Sequence, residues 1–517
     1  MALLRNGTAD IARVGDVAAW WAVRSPDRVA LIDDAGRWTY AELAAAVAAS
    51  GAWLAGQGVG AGDRLLVVGE NCREAVALFL AATLLDAAPS LVAPRTAARE
   101  LADIAANARP RCIVYAPGGL PAAQRLAEGA GTALRPVPGV GMLGATAQDP
   151  GAVADPVESD PLSRTATIIY TSGTTGAPKG VMLSHANLLF MARASGQVRG
   201  LRAEDCFYGV LPLSHTVGLS VVMLGTLLHG ATLRLCGRFT PQAALSALAN
   251  ERISILLGVP AMYAMLLATL GNRPLDAAAR PHLRLLGACG APLDAALKAA
   301  TETVFGLTLH NGYGATECSP TIAQTRVDTP RSDCSVGTPL PGVQTRLLAA
   351  DGSEAAPGAV GVLQVRGPNV MKGYYRAAAE TRAAIDAEGW FNTRDLALLR
   401  DGALFIVGRA SELIIRAGHN VYPTEIEAAL DAHPAVLQAA VIGQSIGADE
   451  EILAFVQKVP GSALTVAELH RHAASLLSPH KRPTRIAVLD TLPTAPTGKV
   501  LKAELARMAT AMLARSA

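Results

Sequence analysis

Residues 170–181 read Tyr170-Thr171-Ser172-Gly173-Thr174-Thr175-Gly176-Ala177-Pro178-Lys179-Gly180-Val181. The β-prone run Ala166-Thr167-Ile168-Ile169 leads into this stretch, and Ser184-His185-Ala186-Asn187 follows it at the head of an apolar segment with helical character. The pattern predicts a buried strand, a loop of glycines, hydroxyls and one lysine, and then a helix. Glycines let backbone N–H groups converge on an anion, and Thr171, Ser172, Thr174 and Thr175 add short donors. Lys179 supplies a compact cation for outer phosphates. A Walker A loop is excluded, because that motif needs Gly-Lys-Ser/Thr opening a helix, whereas Pro178 and Gly180 flank this lysine. A Gly/Thr-rich surface turn is the plain alternative, but such a turn seldom follows a buried strand so tightly.

The stretch sits inside a chain of 517 residues, too long for one compact core. Apolar residues make up 51% and charged residues 17%, as in a folded globular protein. A net charge of +2 with no basic-aromatic stripe argues against nucleic acid as a partner. The seven cysteines are scattered without CxxC spacing, which fits reduced thiols in the cytoplasm and excludes a zinc site or disulfide framework. Residues 1–16 lack an apolar signal core, and the apolar runs 75–85 and 217–228 are too short to span a bilayer, so a cytoplasmic protein without a transmembrane segment is expected.

Helix and strand alternate from residue 20 to about 407. Strands are expected at 26–32, 62–68, 206–213, 231–236, 253–257 and 283–286, and a buried helix at 73–85. Thr39 and Glu42 stand at capping-box spacing. The Gly/Ala/Pro-rich residues 116–163 read as a loosely structured connector. This alternation predicts an α/β unit of parallel-rich sheets covered by helices over residues 1–408. A small α+β unit follows over residues 409–517. Thr424 and Glu427 predict a capped helix ending at His433-Pro434, with strands at 439–443, 452–456 and 485–489 and a helix at 465–477.

Several further stretches carry chemistry. Leu213-Ser214-His215-Thr216-Val217-Gly218 places one histidine after a strand, where a core or surface role is the ordinary reading. Gly287-Ala288-Cys289-Gly290-Ala291-Pro292 reads as a strand-to-helix turn. Asn311-Gly312-Tyr313-Gly314-Ala315-Thr316-Glu317 offers an aromatic face for a purine, a hydroxyl for a phosphate and a carboxylate for a hard cation such as Mg²⁺. Asp395 follows Gly389-Trp390-Phe391-Asn392-Thr393-Arg394, and Pro493-Thr494-Ala495-Pro496-Thr497-Gly498-Lys499 holds a lysine in a Pro/Gly frame.

Taken together and in this order, TSGTTGAPKGV, the Tyr313–Glu317 segment, the 408–423 segment and the Lys499 loop resemble the AMP-forming adenylating superfamily of acyl-CoA synthetases, peptide-synthetase adenylation domains and beetle luciferases. The resemblance runs along nearly the whole chain. It implies an ATP-dependent carboxylate–CoA ligase using Mg²⁺ and coenzyme A, with acyl-AMP as intermediate. On the same basis Lys499, Glu317, Thr171 and His215 form the catalytic set, and Thr171 through Gly176 (Ser172, Gly173, Thr174, Thr175) with Lys179 hold the phosphates. Gly290, Ala291, Pro292, Asn311, Gly312, Tyr313 and Gly314 surround adenine, Thr316 meets the α-phosphate, Asp395 and Arg409 hold the ribose, and Glu317 holds the metal. His215, Gly218, Gly287, Ala288 and Gly314 line the acyl pocket, Gly418 flanks the pantetheine arm, and the small unit pivots at Ser411. Two positions depart from the superfamily: Arg394 stands where glycine is usual, and Ser411 where Asp or Lys is usual.

The acid is less defined. Leu213-Ser214-His215 lacks the aspartate that amino-acid-activating relatives carry, which argues against amino acids. Small glycines beside Val217, Leu219 and Val221 point to a roomy apolar pocket for a medium- or long-chain fatty acid, with an aryl or dicarboxylic acid as alternative. Arg284 is a candidate partner for a second carboxylate, although an arginine just before a strand ordinarily faces solvent. Transfer to a carrier protein is a rival to free CoA. A non-catalytic sensor is disfavoured because Glu317 and Lys499 are both present, and a homodimer is left open.

Overall fold

The computed structural model describes residues 10–119, 121–171, 178–271, 273–416, 419–446, 449–459, 461–494 and 500–514. Its fold is α/β, with a large N-terminal domain and a smaller α+β C-terminal one. Among the described residues the largest sheet has nine strands. Its centre is parallel and runs Leu309–Gly314, Leu285–Cys289, Ile255–Gly258, Cys206–Gly209, Thr232–Leu235 and Val29–Asp33. Antiparallel strands close both ends: Thr321–Gln324 with Thr338–Pro339 at one, Gly36–Thr39 at the other. A second sheet orders Ala88–Val92, Arg64–Gly69, Cys112–Ala116, Gly141–Ala145 and Arg135–Val137.

Between these sheets runs the helix Arg73–Leu84, in which every residue from Glu74 to Thr83 is buried. It packs on strands of both sheets, which is why its sequence is apolar all round rather than striped. The helix Tyr40–Gly56 starts with the expected capping box between Thr39 and Glu42. No helix among the described residues is long and apolar enough to cross a membrane.

Four expectations are corrected. Residues 116–163 are not a loose connector. They hold the helix Pro121–Gly129 and the hairpin Arg135–Val137/Gly141–Ala145, which extends the second sheet through Val114↔Ala145. The helix buries Ala123 and Ala127, four residues apart, so a helical stripe built of alanine was hidden in a composition that resembles a linker. Second, the predicted 206–213 strand ends at Gly209. The Asn71 amide bonds the carbonyls of Gly209 and Leu211 at 3.0 and 2.9 Å and accepts from the Leu213 N–H at 2.9 Å, drawing the chain out of the sheet.

Third, a strand intervenes between residues 172–177 and the expected helix. Lys179–Ser184 returns as a strand antiparallel to Thr165–Thr171, with Thr171↔Lys179 in register, and the helix His185–Val198 starts only afterwards. Fourth, Thr424 caps nothing. Pro423 is the first residue of the helix Pro423–Asp431, as suits a residue without an N–H, and the Thr424 hydroxyl instead donates to the Val407 carbonyl.

Beyond Leu404 the large core ends, and a separate core gathers Ile414, Val421, Ile426, Val441, Ala454 and Leu469. The sheet Val436–Ile446, Asp449–Lys458 and Arg485–Leu489 supports it, covered by Pro423–Asp431 and Val466–Leu476. Thr465 and Glu468 form a capping box at the latter helix.

Candidate active site

Parallel strands deliver their carboxyl ends to one edge of the sheet, where loops are free to hold ligands. Here Cys289 and Gly312 are register partners on adjacent parallel strands, as are Ala288 and Asn311. The Gly290-Ala291-Pro292 turn and the Tyr313–Glu317 segment therefore leave the sheet side by side. Gly290 adopts φ +82°, a left-handed conformation open to glycine. Asn311 is buried and donates its side-chain amide to the carbonyls of Cys334 and Ser335 at 3.1 and 3.3 Å. That role is structural and holds the strand end in place.

Two chains of contacts meet at this edge. The Tyr313 hydroxyl donates to one Asp395 carboxylate oxygen, and Arg409 Nε lies 3.0 Å from the other. Asp395 and Arg409 are also register partners on the strands Phe391–Arg400 and Ala403–Arg409. In the second chain Glu317, on a 3₁₀ turn with Thr316, accepts a 2.8 Å hydrogen bond from the Tyr374 hydroxyl, and Lys179 Nζ lies 5.4 Å from the centre of the Tyr374 ring. Thr171, Lys179, Tyr374 and Glu317 are thus linked, which joins the phosphate-type loop to the carboxylate. Tyr374 was not foreseen; its only sequence signal is its place in the Gly373-Tyr374 strand that pairs with Val181 and Met182. Burial, with Glu317 beside it, pushes the Tyr374 phenol up and keeps it a neutral donor. A hard carboxylate oxygen on a fixed turn suits Mg²⁺, whose remaining ligands are phosphate oxygens and water.

His215 follows the Asn71-clamped loop and precedes a π-helical stretch, Val217–Leu224, a form common at functional sites. Burial pulls its imidazole pKa below the ordinary histidine value, so it is neutral near pH 7. A Cβ on Gly218 would fall 2.1 Å from the Pro212 carbonyl oxygen, and one on Gly314 would fall 2.0 Å from that of Pro320. Both glycines are therefore required by close backbone approach. The smallness read as pocket space at these positions is consumed by packing. Gly287 and Ala288 do border a small cavity, together with Gly312. Burial raises the Cys289 thiol to about 11, which leaves it inert as a nucleophile.

Arg284 starts the strand at the opposite edge and binds Asp205, with Nε 2.8 Å from Oδ1. It is removed from the carboxyl ends and is engaged, so the second-carboxylate role does not fall to it. Ser411 is exposed on the 3₁₀ turn Ala410–Glu412. Lys502 Nζ reaches Glu412 at 2.7 Å and Glu427 at 2.9 Å. Burial disfavours its charge, but the two carboxylates outweigh that and raise its pKa. Ser172, Gly173, Thr174, Thr175, Gly176, Gly418 and Lys499 lie outside the described residues.

Arg394 has φ +59°, the conformation that a glycine takes freely. Its N–H bonds Asn392 Oδ1 at 2.9 Å, so the irregular stretch of strand before Asp395 keeps its shape despite the unusual residue. Arg394→Gly is expected to stabilise the protein by about 0.5 kcal/mol, strain relief of about 1 kcal/mol being partly offset by greater freedom of the unfolded chain. An unchanged or lower denaturation midpoint would contradict this.

The AMP-binding enzyme family model matches residues 18–375. The AMP-binding enzyme C-terminal domain model matches residues 425–499. The chain belongs to the AMP-binding enzyme family, and it is an AMP-forming acid–CoA ligase. It is 34% identical over 504 residues to a feruloyl-CoA synthase of an Amycolatopsis species, covering 94% of this chain and 98% of that one. A 2-succinylbenzoate–CoA ligase of Geobacillus kaustophilus is 34% identical over 493 residues, covering 94% and 96%. The Bacillus subtilis o-succinylbenzoate coenzyme A synthetase solved with ATP and magnesium superposes with a TM-score of 0.79 at 27% identity, covering 95% of this chain and 99% of that one.

Proposed function

We propose that the chain activates an aryl carboxylic acid as its CoA thioester, within one active site at the carboxyl edge of the large sheet. The observation that carries this reading is the meeting there of Tyr313–Asp395–Arg409 with Lys179–Tyr374–Glu317. In the first half-reaction a carboxylate oxygen of the acid attacks the α-phosphorus of ATP. The bond from that phosphorus to the bridging oxygen breaks, and pyrophosphate leaves. Tyr313 and the Gly290-Ala291-Pro292 turn flank the adenine, Asp395 and Arg409 hold the ribose, and Thr316 contacts the α-phosphate. Thr171 through Gly176 and Lys179 hold the outgoing phosphates. Glu317 would hold Mg²⁺, and the ion would supply charge screening of the phosphates when bound. Lys499 bridges acid and α-phosphate and stabilises the charge that builds there.

In the second half-reaction the CoA thiolate attacks the acyl carbonyl and AMP departs. The units 1–408 and 409–517 turn relative to one another about Ser411, withdrawing Lys499 and bringing Gly418 beside the pantetheine arm.

The fatty-acid expectation gives way to an aryl acid because the named relatives act on feruloyl and 2-succinylbenzoate groups. The test is a panel of hydroxycinnamic, benzoic-type and medium-chain fatty acids with ATP and Mg²⁺, with and without CoA. Aryl acids are expected to give acyl-CoA, AMP and pyrophosphate with kcat/KM at least about tenfold above fatty acids. A fatty-acid preference would overturn the substrate class. Pyrophosphate release without acyl-CoA would replace CoA by a carrier protein as acceptor.

A further inference from the structure

The last helix, Lys502–Ala514, begins with a lysine. The N-terminus of a helix is partially positive and favours acids, so this cation is placed against its own helix rather than for it. What offsets the cost lies elsewhere in the small unit. Lys502 Nζ is 2.7 Å from Glu412 Oε2 and 2.9 Å from Glu427 Oε1, and the three side chains are 22%, 32% and 14% exposed. Glu427 is itself fixed, because the same Oε1 accepts the Val441 N–H at 2.8 Å. One half-buried ammonium thus joins the last helix to the helix Pro423–Asp431 and to the 3₁₀ turn Ala410–Glu412. Charge-assisted bonds shielded from water hold geometry more firmly than solvated ion pairs do.

Both ends of this tie adjoin residues with proposed roles in the reaction. Lys502 stands three residues beyond Lys499, and the two residues between them are pinned. Val500 forms an antiparallel bridge with Thr494, and the Leu501 N–H donates to the Pro493 carbonyl at 2.8 Å. Leu492 before the segment and Leu505 after it are buried in one apolar cluster with Phe455 of the small sheet. These contacts anchor both flanks of residues 495–499 to the sheet but none of them reaches the turn. Lys502 does, through Glu412, which adjoins Ser411. Arg409, three residues before Glu412, lies 3.0 Å from Asp395.

We propose that Lys502 is a positioning residue of the acid-activating half-reaction: it ties the chain that presents Lys499 to the turn at Ser411, so that the domain turn carries Lys499 as part of a rigid arm. This rests on the acid–CoA ligase reading and on Lys499 as its catalytic cation. Lys502, engaged by two carboxylates, acts on no substrate atom itself. Its effect passes through Lys499.

The experiment measures pyrophosphate release, and separately thioester formation from preformed acyl-adenylate, in full-length Lys502→Met, Lys502→Arg and Glu412→Ala, each alone and combined with Lys499→Ala. Lys502→Met is expected to slow pyrophosphate release by about 10- to 100-fold through kcat, with KM for ATP and the thioester step unchanged. Lys502→Arg keeps a cation between the two carboxylates and is expected to restore most of the rate. In the Lys499→Ala background Lys502→Met should cost nothing further, a non-additivity that a merely structural role does not produce. Glu412→Ala frees the turn while leaving Lys502 on Glu427. It is expected to show the same selective loss, and it decides the matter if Lys502→Met does not fold. Equal losses in both half-reactions, a loss that persists without Lys499, an unimpaired Lys499→Ala, or unchanged pyrophosphate release in both Lys502→Met and Glu412→Ala would overturn the assignment while leaving the ligase intact. Absence of pyrophosphate release by the wild type with every acid would instead remove the ligase reading and this inference with it.

Discussion

Lys499→Ala should slow pyrophosphate release by about 100- to 1000-fold while sparing thioester formation from preformed acyl-adenylate. The reason is the charge balance of the first step. A carboxylate and a polyphosphate must approach within bonding distance, and the negative charge peaks on the α-phosphoryl oxygens in the transition state. A cation delivered there lowers the barrier, whereas one left in the cleft would compete with entry of the thiol arm. The second step consumes an adenylate that is already formed and gains nothing from this lysine. Rapid-quench assays of the two half-reactions separate these cases. Equal losses in both would assign Lys499 to folding or docking of the small unit, and no loss in either would remove it from the catalytic set.

Glu317→Gln should cost about 100-fold in kcat/KM for ATP, the scale of several kcal/mol associated with metal charge stabilisation at phosphoryl transfer. Its concentration of Mg²⁺ for half-maximal rate should rise about tenfold or more, since a neutral amide oxygen is a weaker ligand for a hard cation. The substitution isolates this effect. Tyr374 donates to Glu317 Oε1 at 2.8 Å, and the glutamine carbonyl can accept the same bond, so the turn is preserved. A magnesium titration that superposes on the wild-type curve would eliminate Glu317 as the metal ligand.

Much of the site was legible because its parts announce themselves locally. Glycines at a strand end, an aromatic-hydroxyl-carboxylate run and a Pro/Gly-framed lysine each appear within a dozen residues, and their order along the chain gave the family. The capping box at Thr39 was readable for the same reason, whereas the one at Thr465, with the same spacing, was not read. Long-range partners were not legible. Asn71 holds the His215 loop across 138 to 142 positions of sequence, and Lys502 holds Glu412 across 90. Neither has any signature beyond being polar. The 121–129 helix was missed because alanine contributes helix and burial without a strong apolar signal. The strand Lys179–Ser184 was missed because its first residues, Lys179-Gly180-Val181, were read as the end of the phosphate-type loop.

The Asp395 carboxylate has one oxygen on the Tyr313 hydroxyl and the other on Arg409. Ser411 stands two residues further along the chain, on the turn that begins the smaller core. In the proposed assignment the ribose subsite and the joint between the two units share a single acid. A change that loosens the grip on the sugar also frees the last strand before the joint, and a change that stiffens the joint alters the acid offered to the sugar. On that assignment, nucleotide preference and the ease of the domain turn are expected to vary together, and a variant that changes one should be assayed for the other.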